Sequence, residues 1–258
     1  MRALKIILFF IFIFYTFSQS LPAQELNAEK IAYNSFHRDR GDNSVSSSQM
    51  VLIDENGKKR SRNFTLKRYV ENKLEHQLIR FLTPADIEGT GFLAIEKEGY
   101  ETDQFLYLPA LRRTRRIVSS QKDQRFVNSD FTYEDMERHP LKNYEYKIQG
   151  DAKVNNIDCY ILVSNPKKST KSQYGKTISL IHKESFTPIL IKFFDKKDHH
   201  IKTYKVLKFN KIQGIWTELT VLMEDITKNH KTYINTEKVI YNTNLQKNEI
   251  SQKMLHYY

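Results

Sequence analysis

Apolar residues recur along this chain with two different periods. From Glu25 to Arg38, the residues Ala28, Ile31, Ala32 and the Ser35/Phe36 pair fall three and four positions apart, which places them on one stripe of a modest amphipathic helix. Beyond it the period changes to two. Segments near 49–54, 62–69, 74–82, 91–96, 104–108, 144–149, 158–164, 177–183, 188–194, 202–209, 215–224 and 232–241 are short, rich in Ile, Val, Thr, Phe and Tyr, and often alternate apolar with polar, as half-buried strands do. Turn formers punctuate them: Glu55-Asn56-Gly57, Glu98-Gly99, Gln149-Gly150-Asp151, Asn155-Asn156, Lys196-Lys197-Asp198 and Gln213-Gly214. Strands joined in this way are antiparallel neighbours. Further helical signals are few: Thr83-Pro84-Ala85-Asp86, with Thr at an N-cap and Pro at the first helical position, then Ser129 to Met136, and the tail Glu249 to Leu255.

Roughly a dozen strands with so few helices imply a mainly β, α+β chain. An open sheet of that size curls or splits, because strand twist accumulates and one apolar face must leave the water. A strongly curved sheet closing part-way around a small plug would enclose an apolar hollow. A two-sheet sandwich also satisfies the strand count. No internal repeat, low-complexity tract or Pro/Gly-rich linker divides the chain, so residues 24–258 read as one domain.

The first residues change the picture of where that domain works. Arg2 and Lys5 precede an apolar run from Ile6 to Tyr15, too short to span a bilayer comfortably, followed by small and polar residues up to Ala23. Residues 1–23 read as a cleaved signal peptide, with an uncleaved anchor as the alternative. No cysteine lies nearby to accept a lipid. The chain carries 41 Lys+Arg against 30 Asp+Glu, a net charge of +11. For an exported protein this surplus points to anionic lipid, envelope polymers or an acidic protein, and away from nucleic acid. The single cysteine, Cys159, cannot close an internal disulfide, so the fold must hold by its core.

Candidate chemistry is sparse. The eight histidines include no His-Glu-x-x-His pattern, and the adjacent pair His199-His200 would leave opposite faces of an extended chain, so no metal site is expected. Gly89-Thr90-Gly91 leads into an apolar strand, whereas a phosphate cradle needs a helix N-terminus. No nucleophile and base are arranged for catalysis, and neither an enzyme nor a cofactor is expected. The densest polar region sets Arg112, Arg113, Arg115 and Arg116 before Asp130, Glu134 and Asp135. Carboxylates beside several arginines are poor proton donors, so the expected role is a network pinning a short helix to the sheet, or arginines left over to dock an anionic headgroup or an acidic partner.

Three blocks then stand in order: Leu78-Ile-Arg-Phe-Leu82-Thr-Pro84-Ala-Asp86-Ile-Glu-Gly89-Thr-Gly91-Phe-Leu93, Tyr107-Leu-Pro109-Ala-Leu-Arg112-Arg113-Thr-Arg-Arg116-Ile, and Ser129-Asp130-Phe-Thr-Tyr133-Glu-Asp135-Met. Together they resemble the outer-membrane lipoprotein-sorting protein-like family, LolA/LolB-like periplasmic proteins often associated with RND/MMPL-type exporters. The resemblance implies a half-open barrel, one antiparallel sheet of about eleven strands wrapped around a few short helices with a cavity that shields acyl chains. A periplasmic carrier of a lipid or lipoprotein is the expected function, with transient membrane contact, an inner-membrane RND/MMPL-type transporter as possible partner, and a monomeric state. A non-carrying adaptor of such a transporter is the alternative. Candidate cavity residues are Phe64, Leu66, Phe81, Phe92, Phe105, Tyr107, Phe131, Phe193 and Trp216. The lid or partner-docking candidates are Ile87, Gly89 and Gly91, with the four arginines and three carboxylates above.

Overall fold

Residues 27–257 are described by a computed structural model, and the expected signal peptide lies outside them. The helix α1 (Ala28–Phe36) opens on Asn27, whose side chain accepts from the Lys30 amide at 2.8 Å, as an N-cap should. Its apolar stripe of Ala28, Ile31 and Ala32 packs on Leu162 and Ile181.

Thirteen strands follow: β1 (Asn43–Ile53), β2 (Lys59–Glu71), β3 (Leu74–Thr83), β4 (Gly91–Glu96), β5 (Thr102–Leu108), β6 (Arg113–Ile117), β7 (Tyr144–Val154), β8 (Ile157–Pro166), β9 (Lys176–His182), β10 (Pro188–Phe194), β11 (His200–Ile212), β12 (Ile215–Asp225) and β13 (His230–Tyr241). They form one sheet in the order β6-β5-β4-β3-β2-β1-β13-β12-β11-β10-β9-β8-β7. Two consecutive meanders, β1 to β6 and β7 to β13, are thus sewn together where β1 pairs antiparallel with β13, from Ser44 opposite Tyr241 to Ile53 opposite Lys231. The single curved sheet, not the sandwich, is the solution adopted, with thirteen strands where about eleven were expected.

This order leaves β6 and β7 at opposite edges, so residues 118–143 must cross the sheet to join them. The crossover lies on the inner face. Its Phe126, Phe131 and Tyr133 are buried in the main core with Phe64, Phe81 and Phe92, and the Phe126 ring stands edge-on to Phe92 at 4.9 Å. Alternation puts the next residues outside: Leu78, Leu93 and Tyr107 form a second cluster under Leu245, Ile250 and Leu255 of the C-terminal tail.

Several expected elements differ. Ser129 to Met136 is not a helix; only Glu134–Met136 makes a 3-10 turn, after another at Phe126–Asn128. The polar side chains there take the backbone groups a helix would need: the Asp135 carboxylate accepts from the Thr132 amide at 2.7 Å, and Thr232 accepts from the Asp130 amide at 3.0 Å. Thr83 ends β3 and so cannot cap a helix; residues after it form a turn in which the Pro84 carbonyl accepts from Ile87 and Glu88. The tail has 3-10 turns at Lys247–Glu249 and Lys253–His256. Gln149-Gly150-Asp151 is a bulge inside β7, with Gly150 at φ 111°, and not a hairpin. Finally, Arg113–Ile117 is a strand that the apolar pattern did not announce. Its charged residues suit an edge, where one side has no neighbouring strand and charge discourages unwanted pairing.

Truncating Phe126 should therefore unseat the crossover as well as leave a void. Phe126→Ala is expected to lose about 3–5 kcal/mol in denaturant unfolding, and limited proteolysis should cut first within residues 118–143.

Candidate functional site

Crossing the inner face, residues 118–143 do not fill it. Between the crossover, α1 and strands β8 to β13 lies a cavity of about 480 Å³. Its apolar surface comes from Leu162, Ile181, Ile191, Phe193, Val221 and Met223, with Phe131 and Met136 facing them from the crossover. A smaller space of about 130 Å³ continues past Phe131, Met136 and Ile234 toward Phe64, Leu66 and Phe81. The larger falls within the ordinary size of small-molecule sites.

The sequence candidates divide by strand parity. Phe131 and Phe193 line the large cavity, and Phe64, Leu66 and Phe81 the small one. Phe92 is fully buried beneath Phe126 and Tyr133 and lines neither. Phe105 and Tyr107 face outward into the C-terminal cluster, because Leu106 between them takes the inner face. Trp216 stacks on Phe209 at 4.6 Å, donates its indole N–H to Glu184 at 3.0 Å, and is likewise outside both linings. The aliphatic residues Leu162, Ile181, Ile191, Val221 and Met223 were missed. Counting back two positions from Phe193 would have found Ile191.

Around α1 and the following loop the lining turns charged. Arg40 pairs with Glu75, and Arg68 stands 3.7 Å from the same carboxylate. Arg138 pairs with Glu96 and donates to the carbonyls of Phe36 at 3.2 Å and Lys73 at 2.9 Å. Burial pushes Glu75 up, but Arg40, Arg68, Arg138 and Arg38 outweigh it and hold the carboxyl below its usual range. Burial lowers Arg68 to about 10 despite Glu75. A separate polar cleft of about 410 Å³ lies where the β5/β6 edge faces the start of β7, lined by Asp103, Arg116, Lys122, Glu137 and Tyr144.

The expected pairing of the four arginines with three carboxylates does not form. Arg112, Arg113, Arg115 and Arg116 are exposed at the β6 edge, and Arg116 pairs with Asp103. Asp130 instead accepts from Arg125 at 2.6 Å and Thr232 at 2.6 Å and contacts His230. Glu134 accepts from Ser172 and the Gln173 amide, while Asp135 accepts from Lys202 at 2.6 Å and Tyr174 at 2.7 Å. These bonds fasten the crossover to β11, β13 and the segment before β9. Strand pairing explains the difference: β6 belongs to one edge of the sheet, whereas the carboxylates lie farther along the crossover.

The loop after β3 is tied down. Ile87 is buried in the main core, the Gly89 amide donates to Phe81 at 2.9 Å, and its carbonyl accepts from Arg80 at 2.6 Å. At Gly91 a Cβ would stand 2.7 Å from the Arg80 guanidinium, so a larger residue there would push the Arg80 side chain from its place.

With this geometry, the relatives become informative. A family model described as "-like: Uncharacterized protein" matches residues 73–256. A DUF1329 family protein from Desulfovibrio piger is 30% identical, with TM-score 0.83 over 88% of this chain and 97% of that one. The chain belongs to the DUF1329 family. A domain assigned to outer membrane lipoprotein sorting in Vibrio parahaemolyticus is 29% identical, with TM-score 0.82 over 89% of this chain and 98% of that one. A LolA superfamily protein from Nitrosomonas europaea shares the fold at 15% identity, TM-score 0.68, over 88% of this chain and 99% of that one. No curated protein gives a significant match. The curved sheet is thus the LolA-type fold, as the resemblance implied.

The Glu75 cluster gives a pH signature. A carboxyl held below its unfolded value, about 4.3 for Glu, adds stability that is present above that value and lost as pH falls through the folded one. Stability should therefore drop on acidification below about pH 4.5. Glu75→Gln should flatten that limb while costing about 3–5 kcal/mol at pH 7, since it strands buried arginines. Urea unfolding from pH 3 to pH 7 reads both.

Proposed function

We propose that this protein is an exported, periplasmic carrier that takes one acyl-chain amphiphile, a lipid or the lipid anchor of a lipoprotein, into the cavity and moves it between membranes. The supporting observation is the apolar hollow held open between the inner face, α1 and the crossover. Residues 1–23 would be the signal peptide and the remainder one monomeric carrier domain. Each methylene moved from water into such a hollow contributes about 0.8 kcal/mol, so even a partly buried chain binds usefully. The name of the Vibrio relative, a lipoprotein-sorting domain, supports the same reading.

In this reading the lid elements are the loop of Ile87, Gly89 and Gly91, whose backbone is bonded to β3, and the crossover segment carrying Phe131 and Met136, held by Asp130 and Asp135; opening either one breaks those bonds. Loading would come from an inner-membrane transporter of the RND/MMPL type. The exposed Arg112, Arg113, Arg115 and Arg116 on the open β6 edge favour a second reading: an adaptor that docks an acidic transporter domain and carries nothing.

Native mass spectrometry of the protein purified from the periplasm without detergent separates the two. A discrete adduct of acyl-lipid mass, lost on denaturation, is expected; a clean apo mass that persists after incubation with envelope lipids would favour the adaptor. Ser164→Trp, which places an indole into the cavity from β8, should leave the melting temperature within a few degrees and reduce the adduct at least about tenfold. Undiminished adduct in that folded variant would remove this cavity as the binding site.

A further inference from the structure

Three arginines line the large cavity, and they are not equivalent. Arg40 and Arg138 each hold a close carboxylate, Glu75 and Glu96. Arg38, two residues beyond α1, has only a long ion pair, with Glu218. Its side chain is only 16% exposed, and among the described residues its hydrogen bond runs from Nη1 to the Ser35 carbonyl at 3.1 Å, capping the last turn of the helix. Its ion-pair partner, Glu218, stands 3.8 Å away through Oε2, beyond hydrogen-bond reach, while the carboxylate's other oxygen accepts from the Tyr204 hydroxyl at 3.1 Å. A guanidinium carries five N–H donors in a rigid fork. Among the described residues Arg38 therefore has donors to spare, on a cation largely withdrawn from water where the charged side of the lining meets the apolar hollow.

We infer that Arg38 is an anion-binding site within the cavity, and that it takes the negatively charged head of a single-headed amphiphile, a carboxylate or a phosphate monoester, whose tail lies along Phe193, Val221 and Met223. Both heads present paired oxygens that match the guanidinium fork. The charge balance agrees: burial first, then repulsion from Arg40, lowers the pKa of Arg38, with Glu218 and Tyr204 only partly compensating. A ligand anion would complete what the fold leaves unfinished. Glu218 opposes it, which sets a limit on affinity and keeps the cation from being stranded when the cavity is empty. The inference rests on the carrier reading and adds to it the class of head that is recognised.

The test is isothermal titration calorimetry of the delipidated mature protein with three probes that share one tail: dodecanoate, dodecyl phosphate and dodecanol. At least one anionic probe should bind about ten- to hundredfold more tightly than dodecanol, the worth of a hydrogen bond to a charged group. Arg38→Gln should bring that probe to near parity with dodecanol while leaving dodecanol binding in place, and Arg38→Lys should restore part of the preference. Glu218→Gln, which removes the opposing charge, should tighten the anionic probes and leave dodecanol unchanged, and it decides the matter if Arg38→Gln does not fold. Tighter dodecanoate names a fatty acid as the source; tighter dodecyl phosphate names a phospholipid fragment. Equal binding of all three probes to the unmodified protein overturns the anion site and leaves the carrier standing. No binding of any probe overturns the carrier reading itself, and this inference with it.

Discussion

The pairing of β1 with β13 is the constraint on which the remaining architecture depends. Each meander alone would be a twisted ribbon with an uncovered apolar face. Joining them at their first and last strands puts the junction at the middle of the sheet and sends β6 and β7 to the edges. The chain can then connect the edges only by crossing the sheet. Laying that crossover on the inner face provides the apolar cover that the sheet lacks, through Phe126, Phe131 and Tyr133, without a second sheet. The cavity is what remains because an irregular crossover and one nine-residue helix are too little to fill the inner face of thirteen strands.

The sequence was most legible where period and punctuation act locally. Twelve strands and α1 follow from alternation and three-to-four spacing, since each residue's burial there is decided by its immediate neighbours. β6 escaped because its exposed arginines mask a pattern that only Ile117 reveals, and an edge strand needs no apolar pair of faces. The Ser129 to Met136 segment misled for the opposite reason. Its helix-like spacing is real, but Asp130 and Asp135 find partners on β13 and β11, more than sixty residues away, and those long-range bonds outweigh local propensity.

Within the site, aromatic content was a partial guide. Phe131, Phe193, Phe64, Leu66 and Phe81 face the hollow, whereas Phe105, Tyr107 and Trp216 do not; for those in strands one fact separates them, that a strand shows each face to alternate residues, while Phe131 comes from the crossover. Choosing aromatics by type ignores parity. Anchoring parity on a single known inward residue in each strand would have set Tyr107 aside, since Leu106 takes the inner face there, and added Ile191 and Met223.

The charged residues follow a different logic from the apolar ones. A buried ion pair stabilises little in net terms, because desolvation consumes most of the attraction, yet removing one partner is costly. The cluster of Arg40, Arg68 and Arg138 with Glu75 and Glu96 therefore acts less as a source of stability than as a means of fixing position: it ties the loop after α1, β2, β3, β4 and the crossover to one another at the side of the cavity. A hollow whose walls are apolar has no such directional bonds of its own and would tend to collapse by sliding. Setting ion pairs beside it keeps α1 and the crossover at a defined separation from the sheet, so that the space between them persists without a ligand to fill it. Of the three arginines that line the cavity, Arg40 and Arg138 have found close carboxylates, and Arg38, with Glu218 at 3.8 Å, marks the point at which the scaffold stops serving itself.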